Sequence, residues 1–358
     1  MTRFATAPQR VAVAIVLVAF IAALGLVLVA AAAPPLVDSI RSATPGNGDA
    51  KAYSDILGLM RRGAGYYYAA HEVLLAEGYG TASLFNWRTP AWPVLLALFP
   101  SVAWAQCLLM ALTSAALYLA YRMIRKQDDN FLLATAAPLS ILASLALLKA
   151  DSSIFMTEIV AGLLILLSAV SYGNGRWMVG LVTAMAALFI RELAAPYILL
   201  CIAFAICQRN LREVVGWAVG LFAYSVYFAW HCIEVVQQLG PADRAYPGGW
   251  IRFGGIRFGL ETAHFNGILF VLPLWLTAAL LPAALTGLFA WRQGLRAALT
   301  VAAYLCIFAV VGKPYNYYWG ALYTPLLMLG LPWAIPAAYD AFRPRPPSVP
   351  PRLPGASV

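Results

Sequence analysis

Charge is scarce in this chain. Only 11% of its 358 residues are Asp, Glu, Lys or Arg, against roughly 25% in an ordinary soluble domain. The charges are clustered, and long runs between them have none. That excludes a soluble globular domain. The runs also lack polar–apolar alternation, which excludes a transmembrane β-barrel, whose strands alternate with period two. Histidine is rare, with three residues, and His71-Glu72 lacks the second His of an HExxH motif. The five cysteines (Cys107, Cys201, Cys207, Cys232 and Cys306) show no CxxC spacing. Neither a zinc site nor a disulfide framework is indicated. No repeat relates residues 1–175 to 176–358, and no large soluble domain is expected after the last apolar run.

What the chain has is apolar length, with 62% hydrophobic residues. About 20 apolar residues are needed to cross about 30 Å of hydrocarbon, and helices satisfy the backbone there. Ten candidate spans follow: 11–33, 102–121, 131–148, 154–171, 177–190, 193–207, 214–230, 267–290, 297–311 and 321–339. The expected fold is all-α, a polytopic transmembrane helix bundle forming one domain over 1–341. A Pro-rich cytoplasmic tail, 342–358, is expected to be disordered. The first run, preceded by Arg3 and Arg10, exceeds the 7–15 apolar residues of a signal peptide, so it is expected to be retained as a span.

Orientation follows from Lys and Arg. With the N-terminus inside, the inner segments hold 13 cations against four carboxylates, and the outer segments 11 of each. The net charge of +9 then sits inside. Such a basic excess marks topology and argues against nucleic-acid binding. This count requires 177–207 to be two helices. A single helix there would extend about 46 Å at 1.5 Å per residue, and Arg191-Glu192 sits at its middle. A break at that pair, near the outer surface, is expected.

Two outer segments are long, 34–100 and 231–266, and loops of that kind carry function. The first contains Gly46-Asn47-Gly48-Asp49, a glycine-flanked turn that places Asp49 just before or in the first turn of a short helix over 50–62. A second short helix, 66–77, opens with Tyr66-Tyr67-Tyr68. The aromatics around both suit an interfacial position. Thr89-Pro90 starts a third, 90–99, with Thr89 as N-cap. Asp49 as a simple cap, the tyrosines as a belt, Arg61 and Arg62 as lipid-phosphate contacts, and Arg191-Glu192 as a structural ion pair are the plain readings. Ionisable groups at a membrane edge are nevertheless candidates for function. The second segment mixes Pro241, Pro247, Gly248 and Gly249 with Tyr246, Trp250, Arg252 and Phe253. It is expected to be irregular, with Trp250, Tyr246 and Arg252 offering aromatic faces and polar groups to a sugar acceptor.

The order of the pieces carries a resemblance. A first span leads to an outer loop with an early acidic residue, Asp49, and two interfacial helices. Phe85-Asn86-Trp87-Arg88-Thr89-Pro90 comes next, then Thr157-Glu158, Arg191-Glu192, and Tyr315-Asn316-Tyr317-Tyr318-Trp319 before a final span with Pro325. From about Arg10 to Asp340 this resembles the GT-C superfamily of membrane glycosyltransferases. The chain departs from many members in having a lone Asp49, with Asp55 six residues on, instead of paired acidic residues. The resemblance implies transfer of a hexose or pentose from a polyprenyl phosphate to a glycan, lipid or protein hydroxyl, with inversion. The site would face the outer side of a bacterial cytoplasmic membrane and serve the cell envelope. Arg88, Arg191 and Lys313, with Arg61 and Arg62, are the candidate phosphate-binding cations. Asp49 is the first candidate for general base, with Glu158 and Glu192 as alternatives. No cofactor or metal site is indicated, although one carboxylate plus a substrate phosphate can hold Mg²⁺. A saccharide or lipid transporter, or a non-catalytic subunit of an envelope-polysaccharide complex, remains the competing class.

Overall fold

The computed structural model describes residues 2–32, 48–127, 130–245 and 253–345. Among them the chain is all-helical. Four helical stretches are long and apolar enough to cross a membrane: Gln9–Ala31 (α1), Val102–Arg125 (α5), Phe131–Leu148 (opened by α6, Phe131–Ser144) and Leu211–Gln238 (α10). A fifth candidate is the pair Pro314–Leu322 and Thr324–Phe342, bent by 58°. The pair comprises a 3-10 segment, α14 (Thr324–Gly330) and α15 (Ala334–Phe342). Five further apolar helical stretches of 10–17 residues complete the bundle. They are α7 (Thr157–Gly173), α8 (Trp177–Ile190), Glu192–Cys207 (which contains α9, Ala195–Cys207), α12 (Leu274–Ala290) and α13 (Leu295–Val310). Every stretch expected to span is therefore helical over most of its length, but among the described residues only four or five meet the length of a full crossing.

The break within 177–207 falls at Arg191. That residue leaves α8 in an extended conformation, φ −149° and ψ 114°, before a 3-10 turn opens α9. Among the described residues, three short helices lie between α1 and α5: α2 (Asp49–Arg61), α3 (Tyr66–Ala76) and α4 (Ala91–Leu98). Two of the three consecutive tyrosines are not a surface belt. Tyr66 and Tyr67 are buried with Tyr53, Ile56 and Trp87 between α2 and α3, and only Tyr68 is exposed. Nor does Thr89 cap α4. Pro90 takes the N-cap position, and the Thr89 hydroxyl donates instead to the Phe189 and Ile190 carbonyls at the end of α8, at 2.8 and 3.1 Å. The second outer segment is helical at both ends and irregular over 239–245, and Pro247, Gly248 and Gly249 lie outside the described residues. Helix α10 runs on to Gln238, and Gly255–His264 forms a helix, α11, with Phe258, Leu260 and Ala263 buried.

Helix α7 is the axis of the bundle, with nearly every residue from Thr157 to Ser171 buried. Its close neighbour is the Pro314–Leu322 segment, where a Cβ added at Gly162 would run into the Ala321 carbonyl. Polar residues gather at both ends of this axis. At the C-terminal end, the Arg296 guanidinium lies 3.8 Å from the Tyr172 ring centroid and 4.8 Å from that of Phe204. Nearby, Glu213 accepts from Asn210 Nδ2 at 3.0 Å and Trp217 Nε1 at 3.4 Å. The first described residues are held against residues 340–345. The amide and hydroxyl of Thr2 donate to Asp340 at 2.9 and 2.8 Å, and Arg345 donates to the carbonyls of Phe4 and Ala7.

Candidate functional site

The N-terminal end of α7 is built differently. Gly48, at φ 88°, makes a turn that L side chains rarely adopt, and Asp49 opens α2 directly after it. Asp49 Oδ1 accepts from the Tyr79 hydroxyl at 2.8 Å. Its Oδ2 accepts from the Tyr318 hydroxyl and from Arg88 Nη2, both at 2.7 Å. Arg88 lies on the extended stretch before α4 and is buried. Its carbonyl accepts from Tyr66, and the Tyr53 ring centroid lies 4.9 Å from its guanidinium carbon. Beside it, Trp87 is pinned by a hydrogen bond from Nε1 to the Thr81 carbonyl at 2.8 Å.

Arg88 Nη1 then reaches Glu158 Oε2 at 2.6 Å and donates to the Thr157 hydroxyl. Glu158 is the second residue of α7, and its side chain is fully buried. Its other oxygen lies 2.9 Å from Arg191 Nε, an ion pair without hydrogen-bond alignment. Arg191 Nη1 donates to Glu192 Oε1 at 2.5 Å. The result is an alternating ladder, Asp49–Arg88–Glu158–Arg191–Glu192. Three carboxylates and two guanidiniums leave it one negative charge.

Pairing of this kind is what lets such charges be buried, because an isolated charge would cost far more. At Asp49, burial opposes the charged form, but Arg88 and the hydroxyls of Tyr318 and Tyr79 outweigh it and hold the carboxyl below its ordinary value. Burial also opposes the charge on Arg88, yet Glu158, the neighbouring tyrosines and Asp49 hold the guanidinium well above its usual range. The Tyr53 phenol is pushed up to about 12, chiefly by burial. Asp49, as placed, is thus a firmly ionised acceptor whose two oxygens are both engaged. A strong base needs the opposite, a carboxylate less stabilised by donors.

Beside Asp49 an open groove of about 720 Å³ runs between the first turns of α2 and α5 and the 151–155 turn. Lys51, Ser54, Gln106 and Ser152 line it with Val102 and Phe155. Lys51 is paired with Asp55, and both remain partly exposed.

Five of the expected site residues, Asp49, Arg88, Glu158, Arg191 and Glu192, are thus joined in one cluster. Others are placed differently. Arg61 lies at the far end of α2, about 18 Å along the helix from Asp49 at 1.5 Å per residue. Its guanidinium reaches toward the Leu96 and Phe99 carbonyls at the end of α4. Arg62 is exposed at the C-cap of α2. Lys313 caps the segment that carries Tyr318, its ammonium 5.9 Å from the Tyr315 ring centroid. Tyr246, Trp250 and Arg252 lie outside the described residues. Tyr79, Tyr318, Tyr53 and Thr157 complete the site without having been assigned a role from sequence. The available signal was the dense tyrosine of 315–318, which offers phenol donors to an acidic partner. No group of three or more His, Cys, Asp or Glu side chains is arranged to hold a metal ion among the described residues.

Comparison of the chain with protein-family models, with curated proteins and with solved structures returns no match.

Proposed function

We propose that the protein is a membrane glycosyltransferase that moves a sugar from a polyprenyl phosphate to an acceptor hydroxyl, with the ladder as its working site. The observation carrying this reading is the convergence of Asp49, Arg88, Glu158, Arg191 and Glu192, residues from four separate parts of the sequence, into one buried chain of charges. A structural brace would need one pair. Five alternating charges at the mouth of an apolar bundle hold two guanidiniums ready for an anion in a place where water is scarce. The groove at Lys51 offers polar side chains and an apolar wall beside them, the two surfaces an amphiphilic phosphate requires.

In the reaction, the bond from the anomeric carbon to the donor phosphate oxygen breaks, and that carbon bonds to the acceptor oxygen. The acceptor proton passes to a carboxylate, and polyprenyl phosphate leaves with one more negative charge. Arg88 meets that charge. To do so it exchanges Asp49 for the phosphate at Nη2. Asp49 then loses the partner that most lowers its proton affinity and becomes a competent base. Arg191 and Glu158 hold Arg88 in place through the exchange.

The contact of Thr2 with Asp340 fits an even number of membrane crossings between them, and ten spans is such a number. The short helices cross as members of the bundle, with the ladder at the outer face of a bacterial cytoplasmic membrane and the basic ends inside. The test is turnover by reconstituted protein of polyprenyl phosphate carrying a labelled hexose or pentose. Release of polyprenyl phosphate with label on an acceptor is expected, and it should vanish in Asp49→Asn. Label crossing the bilayer without turnover would identify a flippase. Neither transfer nor movement would leave an assembly subunit.

A further inference from the structure

Two of the donors that close on Asp49 come from one stretch of chain. Tyr79 stands at its start and reaches Asp49 Oδ1 at 2.8 Å, and Arg88 stands at its end and reaches Oδ2 at 2.7 Å. Between them the chain folds on itself. Asn86 Nδ2 donates to the Gly80 carbonyl at 2.6 Å, and Trp87 Nε1 to the Thr81 carbonyl at 2.8 Å. Residues 79–88 therefore hold together as a unit. Where that unit sits decides how both arms meet Asp49.

The unit is also held from outside. The Trp87 ring lies flat against the His71 imidazole of α3, with planes 9° apart and centroids 5.8 Å apart. His71 is fixed in turn by Asp243, in the segment after α10, with Nε2 3.0 Å from Oδ1. The pair is shielded, its side chains 18% and 3% exposed, although the chain around Asp243 is open to solvent. A tight turn sets Asp243 for this contact. Its amide donates to the Gly240 carbonyl at 3.1 Å, and its Oδ2 accepts from the Gly240 amide at 2.6 Å. The next residue meets the unit directly, because the Arg244 carbonyl accepts from the Ala82 amide at 3.2 Å.

We infer that Asp243 and His71 are positioning residues: through Trp87 and Ala82 they set the Tyr79 and Arg88 arms on Asp49, and so tie the segment after α10 to the ladder. Asp243 holds the imidazole against Trp87. Trp87 holds the 79–88 unit, and the unit presents both donors. A staple that only joined two surface segments would not need to meet the residue next to Arg88. The position matters because a misplacement of about 1 Å at a reacting group can cost about 100-fold in rate. Loosening the pair frees both arms together, which a change at one arm does not. The consequence for rate rests on the proposed transfer reaction, whereas the positioning of the arms stands without it.

Protonation of Asp49 reads the position of the arms without any turnover. It is followed in nanodiscs by difference infrared spectroscopy, on the carboxyl band that Asp49→Asn removes. Arg88 and Tyr79 hold this carboxyl low, so freeing them moves its titration to higher pH. Asp243→Ala is expected to give that upward shift and to speed hydrogen exchange at the Ala82 amide. Loss of the Asp243 charge alone would move the titration the other way. Asp243→Asn keeps an oxygen for His71 and for the Gly240 amide, and should recover most of both changes. His71→Ala should reproduce Asp243→Ala. The double variant should be no worse than either single change, as for two residues of one contact. Sugar transfer by Asp243→Ala should fall about tenfold in kcat/KM, with the acid limb of its pH profile moved upward. A mere loss of folded protein would scale the rate and leave the limb in place. A wild type without transfer would remove the reaction and leave the carboxyl titration to decide the positioning. An Asp49 titration unmoved in both Asp243→Ala and His71→Ala, or a double variant in which the two shifts add, would overturn the assignment.

Discussion

The two ends of α7 solve the same problem in opposite ways. At the C-terminal end, a single arginine, Arg296, is held between the rings of Tyr172 and Phe204, and Glu213 is served by Asn210 and Trp217 on its own helix or its cap. At the N-terminal end, five charged side chains from distant parts of the sequence are linked in one line. The first arrangement draws on packing and local hydrogen bonds. The second commits buried charge to other buried charge, which stabilises little over an apolar core of the same shape. A protein has small structural reason to build the second, so it points to use.

The sharpest way to break this contrast is to remove one cation from each end. Arg88→Ala leaves Glu158 buried with half its partners and is expected to cost about 3–5 kcal/mol of stability and all turnover. Arg296→Ala loses ring contacts of about 1–2 kcal/mol and should leave turnover in place. Thermal unfolding in detergent, read beside labelled-sugar transfer, checks both. Comparable loss of activity in the two variants would remove the distinction.

Next in size is Gly320→Ala. A methyl group there would run into the Thr262 carbonyl, so the 314–322 segment must shift, and Tyr318 rides on it. Lower stability and weaker activity together are expected. Tyr318→Phe separates the two. It removes one donor to Asp49, for about 1 kcal/mol, with the segment undisturbed. Because that donor lowers the Asp49 pKa, its loss should move the acid limb of the pH–rate profile upward. An unmoved limb would detach Asp49 from the reaction.

The smallest effect is on stability against pH. The Asp49 pKa is lowered in the folded state, so its contribution is full above the ordinary value of 3.8 and is lost as pH falls below that toward the folded value. Acid unfolding of the wild type should be steeper in that window than that of Asp49→Asn. Parallel curves would mean that Asp49 is not held as the ladder requires.

Much of this site was legible in the sequence. Charged residues are so few that those interrupting apolar runs, Arg191-Glu192 above all, announce a break and a polar cluster. The positions of the helices followed from the same runs. Pairing was not legible, because nothing local says that Arg88 reaches both Asp49 and Glu158, 39 positions before and 70 after. The tyrosines misled in a specific way. Three in a row look like a headgroup belt, yet two turn inward because α2 and α3 bury a small core of their own. Nor did the sequence show that the end of the second outer segment, Gly255–His264, would form a helix with a buried face. Tertiary packing decided both cases.

Arg88 is the residue on which the proposed phosphate chemistry turns. Its most direct test is the affinity of reconstituted protein for polyprenyl phosphate itself, compared among wild type, Arg88→Lys and Arg296→Lys. Lys keeps the charge at each site and loses the planar fork. The prediction is saturable binding that falls at least tenfold in Arg88→Lys and is unchanged in Arg296→Lys. Equal affinity in all three proteins, or no binding by the wild type, would contradict it.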